Sequence, residues 1–168
     1  MAQEKYITKQ DVVNKGMSKK DGIFYKKSLL EIWYSKGWLD LPDSKYGADD
    51  RLRCGMALAL DYHIIERTNL HSGHSFNTKI DISDSAESRG LLDAKDRYNK
   101  AIRAVPAEFW PVVRQICIEE KEIAAPAEMS ERQKTYFYYL NRIDLCRGLD
   151  RIIASRLLHL KSENIKRL

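Results

Sequence analysis

The chain has 168 residues, of which 43% are apolar and 32% charged, with a net charge of +5. That length suits one domain with one real core, and the composition is that of an ordinary soluble globular protein. The mild basic excess favours an acidic partner but is far from histone-like.

The three cysteines, Cys54, Cys117 and Cys146, are isolated and odd in number, which excludes a disulfide frame and indicates reduced, buried thiols. No apolar leader segment follows Met1, and no apolar run approaches the ~20 residues needed to span a bilayer. A soluble, cytoplasmic protein without a membrane role is expected.

Residues 1–20 read as a flexible basic arm carrying Lys15, Lys19 and Lys20, with at most one helical turn expected around Gln10–Asn14. A single helical domain is expected over residues 21–165. Its first helix is expected over Asp21–Ser35, capped by Ser18 or Asp21, with Tyr25, Leu29, Ile32 and Trp33 at helical spacing. Lys26 and Lys27 fall on its outer side. Gly37 is placed to end it in a left-handed conformation, after which Trp38, Leu39 and Leu41 tuck back on the core.

The second helix is expected over Ala48–Arg67, with Asp49 and Asp50 at its positive end. Its apolar stripe reads Leu52, Met56, Ala59, Leu60, His63 and Ile64, and small residues such as Gly55 allow a close neighbour. Asp61, Tyr62 and His63 are consecutive, so their side chains diverge around the helix and do not form an acid–base site. A long loop is expected over Thr68–Asp84. It carries His71 and His74, but no carboxylate or cysteine completes a metal spacing with His63. Lys79–Ile82 alternates like a short extended piece with no evident partner strand.

The third helix is expected over Ser85–Ala104, with i,i+4 pairs Asp93–Arg97 and Asp96–Lys100 on its wet face. Pro106 begins the fourth, and at Pro111 the helix either restarts or is distorted. Glu119, Glu120 and Glu122 cluster near its end, where something positive must sit opposite. The last helix runs from a Ser130 cap to about Leu160. Its apolar side includes Tyr138, Tyr139, Ile143, Leu145, Cys146, Leu149, Ile152 and Ile153. Arg142 and Arg156 fall inside that arc and need partners, with the fourth-helix glutamates as natural candidates.

The fold class expected is therefore all-α: a single-domain bundle of about five helices with a long loop near 68–84. From Ala125 to Leu168 there are nine Lys/Arg against five Asp/Glu. Arg147 and Arg151 lie four apart and point away from the apolar arc, with Arg132 and Lys134 at the helix start. This is the best phosphate-facing surface in the chain, its competitor being a solvated face.

Two groups of residues are similar to a known domain. One is Tyr46-Gly47-Ala48-Asp49-Asp50-Arg51-Leu52-Arg53-Cys54-Gly55, running to Ala59-Leu60-Asp61-Tyr62. The other is Tyr98-Asn99-Lys100-Ala101-Ile102, then Pro106 to Val113, Ile116-Cys117 and Gly148-Leu149-Asp150-Arg151-Ile152. Together they resemble an uncharacterised all-helical domain of phage, prophage and alphaproteobacterial proteins, often attached to helix-turn-helix regulators. The resemblance implies a phage or bacterial origin and an association with transcription control, and it carries no catalytic residues. The fourth and last helices also resemble a sigma-factor-type helix-turn-helix pair. Against that, Tyr136-Phe137-Tyr138-Tyr139-Leu140 is more aromatic than a groove-reading face, and these rings are expected in the core.

The function expected is a small, non-catalytic phage or bacterial regulator that binds DNA or the RNA polymerase machinery. Docking on phosphate would use Arg132, Lys134, Arg147 and Arg151, assisted by Lys19, Lys20, Lys26 and Lys27. No metal or cofactor is expected, and a homo-oligomer is compatible with the sequence. The alternative is a phage structural or adaptor module without nucleic-acid affinity. A metal-dependent enzyme using His63, His71 and His74, or Glu119–Glu122, ranks last.

Overall fold

In the computed structural model, the described residues are 17–20, 23–72 and 86–165, with side chains described over 27–67 and 89–156. Among the described residues the fold is all-α: five helices around one core, preceded by a short β-hairpin. The expected turn at Gln10–Asn14, most of the arm, His74 and Lys79–Ile82 lie outside the described residues.

Strands β1 (Met17–Lys20) and β2 (Ile23–Lys26) pair antiparallel, Met17 opposite Lys26 and Lys20 opposite Ile23. This corrects the helix expected from Asp21. In the sequence the strands are joined by Asp21-Gly22, a strong short-range hairpin signal that helical spacing of the apolar residues overrode.

Helix α1 is therefore short, Leu29–Ser35. Its cap is Ser28, not Ser18 or Asp21: the Ser28 hydroxyl accepts from the Glu31 N–H (3.2 Å) and the Glu31 carboxylate accepts from the Ser28 N–H (2.8 Å). This reciprocal pair satisfies two donors that the first turn leaves open. Gly37 ends the helix at φ +69°, with Gly37 N–H donating to Tyr34 O and Trp38 N–H to Trp33 O, both 2.9 Å. That Schellman closure needs a left-handed residue, which glycine supplies without strain. It turns the chain so that Leu39 is fully buried while Trp38 sets its ring edge-on to Trp33.

Helix α2 (Ala48–Ser72) runs one turn beyond its expected end, into the stretch read as loop. Its buried residues are Arg51, Cys54, Gly55, Leu58 and Asp61. This corrects the stripe expected, since Met56 is 43% and Leu60 60% exposed. The true inner face lies about one residue round the helix and contains two charged groups, so a search for apolar periodicity passes over it.

Helix α3 (Ala86–Ala104) packs on α2 through Ala94 and Ala101. The chain then turns through 107–109, and α4 (Trp110–Cys117) starts with Pro111 in its first turn, where a missing N–H costs little. This corrects the start expected at Pro106: residues 107–109 form a turn and the helix first begins at Trp110, so there is no earlier helix to restart or distort at Pro111. Val112, Val113, Ile116 and Cys117 of α4 are buried.

Helix α5 (Glu131–Ile165) is ~52 Å long at 1.5 Å per residue. Ser130 and Gln133 cap it reciprocally. Leu145, Cys146, Leu149 and Ile152 are fully buried against α2, α3 and α4. Two glycines set the closest approaches. A Cβ at Gly55 would stand 2.4 Å from Leu30 Cδ2, and one at Gly148 2.5 Å from Val113 Cγ2. No helix among the described residues is long and apolar enough to cross a membrane.

Candidate nucleic-acid interface

The polar interior decides which arginines are left for solvent. Arg51 is fully buried, yet every arm of its guanidinium is used. Nε donates to Asp150 Oδ1 (2.8 Å), Nη2 to Asp150 Oδ2 (3.0 Å) and Nη1 to the Leu39 carbonyl (2.8 Å). Asp150 Oδ2 also accepts from the Ser44 hydroxyl (2.8 Å). A buried charge is tolerated when paired and fully hydrogen-bonded in this way. One cluster thus ties α2, α5 and the 39–44 segment together.

Asp61, also buried, takes a bidentate grip from Arg97, with Arg97 Nη2 to Asp61 Oδ1 at 2.6 Å. Arg97 therefore does not make the expected pair with Asp93. Lys100 and Asp96 do pair, at 2.7 Å. Arg156 Nη2 approaches Asp61 Oδ2 at 3.9 Å. Arg142 donates to the Trp38 carbonyl (2.9 Å) and the Asp40 carbonyl (2.6 Å). Neither Arg142 nor Arg156 pairs with the α4 glutamates. Glu119 instead turns back to Arg114 (2.8 Å) and Lys121 (3.1 Å), cations close to it in sequence, so the expected cross-helix pairing is corrected.

What remains on α5 is an outward face. At ~100° per residue, Arg132, Tyr136, Tyr139, Leu140, Arg147 and Arg151 fall within about 120° of arc, opposite Leu145, Leu149 and Ile152. All six are exposed. None of the three arginines has a carboxylate within ion-pair distance among the described residues. Asp150, between Arg147 and Arg151, is held by Arg51 and Ser44, so its charge is already met. Phe109, Arg147, Asp150 and Arg151 line a shallow cleft of about 320 Å³.

Two further carboxylates influence this end of the face. Burial raises the Asp144 carboxyl above its ordinary value; Arg147 pulls it back and Glu108 adds to the rise.

The remaining expected contacts divide. Lys134 is on α5 but faces roughly the opposite way from Arg132 and pairs with Glu131 at 2.9 Å. Lys19, Lys20 and Lys26 stand on the hairpin, and Lys27 follows it half-buried; they are not on α5.

The tyrosines expected in the core are on the surface. Tyr136, Tyr138, Tyr139 and Leu140 are 62%, 46%, 53% and 39% exposed, and no residue of 131–144 is buried. Nearly the first four turns of α5 precede its first buried residue, Leu145. Tyr138 is held by a neighbouring segment, its hydroxyl accepting from the Ala125 N–H at 3.4 Å. The place of Phe109 beside the arginines depends on tertiary packing and has no signal in its own segment.

Among the described residues no three His, Cys, Asp or Glu side chains converge as a metal site would require. The thiols are inward: burial pushes Cys54 and Cys146 up to about 11, and raises Cys117 further. Thiols so disfavoured as thiolates are poor nucleophiles. No protein-family model, curated protein or solved structure matches the chain.

Proposed function

We propose that this protein is a small, non-catalytic regulator of phage or bacterial type that acts by binding DNA or the transcription machinery. The outward face of α5 is the docking surface. The observation that carries this reading is that Arg132, Arg147 and Arg151 share one side of a helix, exposed and without carboxylate partners among the described residues. Guanidinium groups in that state bind phosphate oxygens and release condensed counterions as they do so. Phosphate contacts of this kind position a protein without reading sequence. The hairpin lysines Lys19, Lys20 and Lys26, with Lys27, would add to the field. Phage or bacterial origin and the link to transcription rest on the sequence resemblance alone.

The test is affinity for labelled DNA across a salt series. Three phosphate contacts give a slope of about −2.7 in log K against log salt for duplex, or about −2.1 for a single strand. Arg147→Ala with Arg151→Ala should weaken binding and flatten the slope by about 1.4–1.8. Retention on DNA no better than on an uncharged resin would overturn the reading.

The adaptor alternative draws on one observation, the exposed tyrosines in the first turns of α5. It is favoured if light scattering shows a stable oligomer and nucleic acid does not bind.

A further inference from the structure

We propose that the nucleic acid taken by this face is single-stranded, with bases stacked on Tyr136 and Tyr139 and one nucleotide seated in the cleft of Phe109, Arg147 and Arg151. The inference rests on the reading of α5 as a nucleic-acid surface and specifies its ligand. Three features support it.

First, two aromatic side chains lie between cationic ones along the same side of α5. Arg132 and Arg151 are ~28 Å apart along the axis at 1.5 Å per residue, with Tyr136 and Tyr139 between them. A duplex offers phosphates but keeps its base faces stacked inside, so two exposed tyrosines in the middle of the track would gain little. An unpaired strand offers a π-face at every nucleotide, and grooves that bind it combine cations for the backbone with aromatic platforms for the bases.

Second, the positive charge on this face is widely spaced. Duplex DNA presents a negative charge every ~1.7 Å of axis and calls for dense positive charge. Here three exposed arginines are spread over ~28 Å of helix, and the Asp144 carboxyl feels both Arg147 and Glu108. Stacking supplies the attraction that Coulomb forces do not.

Third, the cleft is of a suitable kind. At about 320 Å³ it is at the lower end of small-ligand pockets (about 300–1,000 Å³), and it pairs one ring with two free guanidinium groups. The one acid in its wall, Asp150, is held by Arg51 and Ser44 and so does not repel a phosphate as a bare carboxylate would.

The experiment is fluorescence anisotropy of the full chain with an unstructured single strand of about 15 nucleotides, as DNA and as RNA, and with the duplex of the same sequence at equal salt. The single strand should bind at least tenfold more tightly than the duplex. Tyr136→Ala with Tyr139→Ala should lower single-strand affinity about tenfold or more and change duplex affinity less than about twofold. Both positions are exposed, so the fold is retained, as circular dichroism would verify. Arg147→Ala with Arg151→Ala should lower both affinities. If the duplex binds as well as the strand, or the tyrosine variant binds normally, the single-strand inference is wrong while the nucleic-acid reading stands. If neither nucleic acid binds, both are wrong.

Discussion

Removing Asp150 should destabilise the protein more than removing Arg51, although the two form one ion pair. The reason is the asymmetry of burial: the Arg51 side chain is 0% exposed and that of Asp150 18%. Asp150→Ala leaves a fully buried guanidinium with one remaining acceptor, the Leu39 carbonyl. Stranding a buried charge in this way costs about 3–5 kcal/mol. For a chain of this size that is a fall in Tm of about 6–20 °C, at 2–4 °C per kcal/mol. Arg51→Met keeps an aliphatic stem of similar length. It leaves Asp150 at the solvent edge with the Ser44 hydroxyl, and deprives the Leu39 carbonyl of a donor, a loss of about 1–3 kcal/mol. In the double variant the stranded charge is gone, so the cost should fall back close to that of Arg51→Met alone instead of adding. Urea denaturation followed by far-UV circular dichroism gives all four corners of this cycle, and unchanged slopes would show that the unfolding reaction is the same in each. If Asp150→Ala costs less than about 1 kcal/mol, or if Arg51→Met proves the worse of the two, the assignment of a fully buried, ionised Arg51 is wrong.

Three further outcomes are expected. Gly55→Ala should cost about 1–3 kcal/mol by overpacking, because its Cβ would meet Leu30 at 2.4 Å and Cys117 at 3.1 Å; Gly90→Ala, with nothing within 4 Å, should instead stabilise α3 by about 0.5–1 kcal/mol, both read by thermal melts. Ellman's reagent should label none of the three cysteines quickly at mildly alkaline pH in the native state and all three in urea, since burial holds Cys54 and Cys146 near 11 and Cys117 higher; fast native labelling would contradict their burial. Burial raises the Asp144 carboxyl, so the folded chain holds that proton more tightly than the unfolded one, and stability drops as pH climbs from the ordinary aspartate value through the raised one. Asp144→Asn should therefore melt higher than the parent at neutral pH, with the difference shrinking in acid, and should tighten nucleic-acid binding by clearing a carboxylate from beside Arg147.

Local signals in the sequence were sufficient wherever one residue's backbone geometry decides the outcome. Gly37 stops α1 and Ser130 starts α5, each for a reason confined to a few neighbouring residues. Periodicity misled where an apolar register and a turn signal competed, as at Asp21-Gly22, and where the inner face of a helix is not apolar, as in α2. Arg51 and Asp150 are 99 positions apart, and Asp61 and Arg97 are 36 apart. No window along the chain contains both members of either pair, so Arg97 was assigned to the acid one turn away.

The same limit governs the candidate site. That Arg147 and Arg151 point outward followed from helical spacing alone. Whether they are free did not, because that depends on who holds Asp150, and the answer comes from the other side of the core. The tyrosines of α5 fail the periodicity reading for a related reason. Tyr139 lies on the outward arc itself, and Tyr138, on the inward one, is still 46% exposed. Among the described residues nothing in 131–144 is buried, and what does or does not cover a segment is not written in the segment itself. Buried pairing and an unburied stretch of helix together create the face. An interior acid is neutralised by an interior base, and α5 has no buried residue before Leu145, so cations and rings are left side by side in water. If Asp150 were released by Arg51→Met, its carboxylate would be free to draw Arg147 or Arg151 toward itself. Nucleic-acid affinity should then fall with no change to any residue that touches the ligand. An Arg51→Met variant that stays folded and binds at full strength would separate the buried pair from the surface it is argued to set.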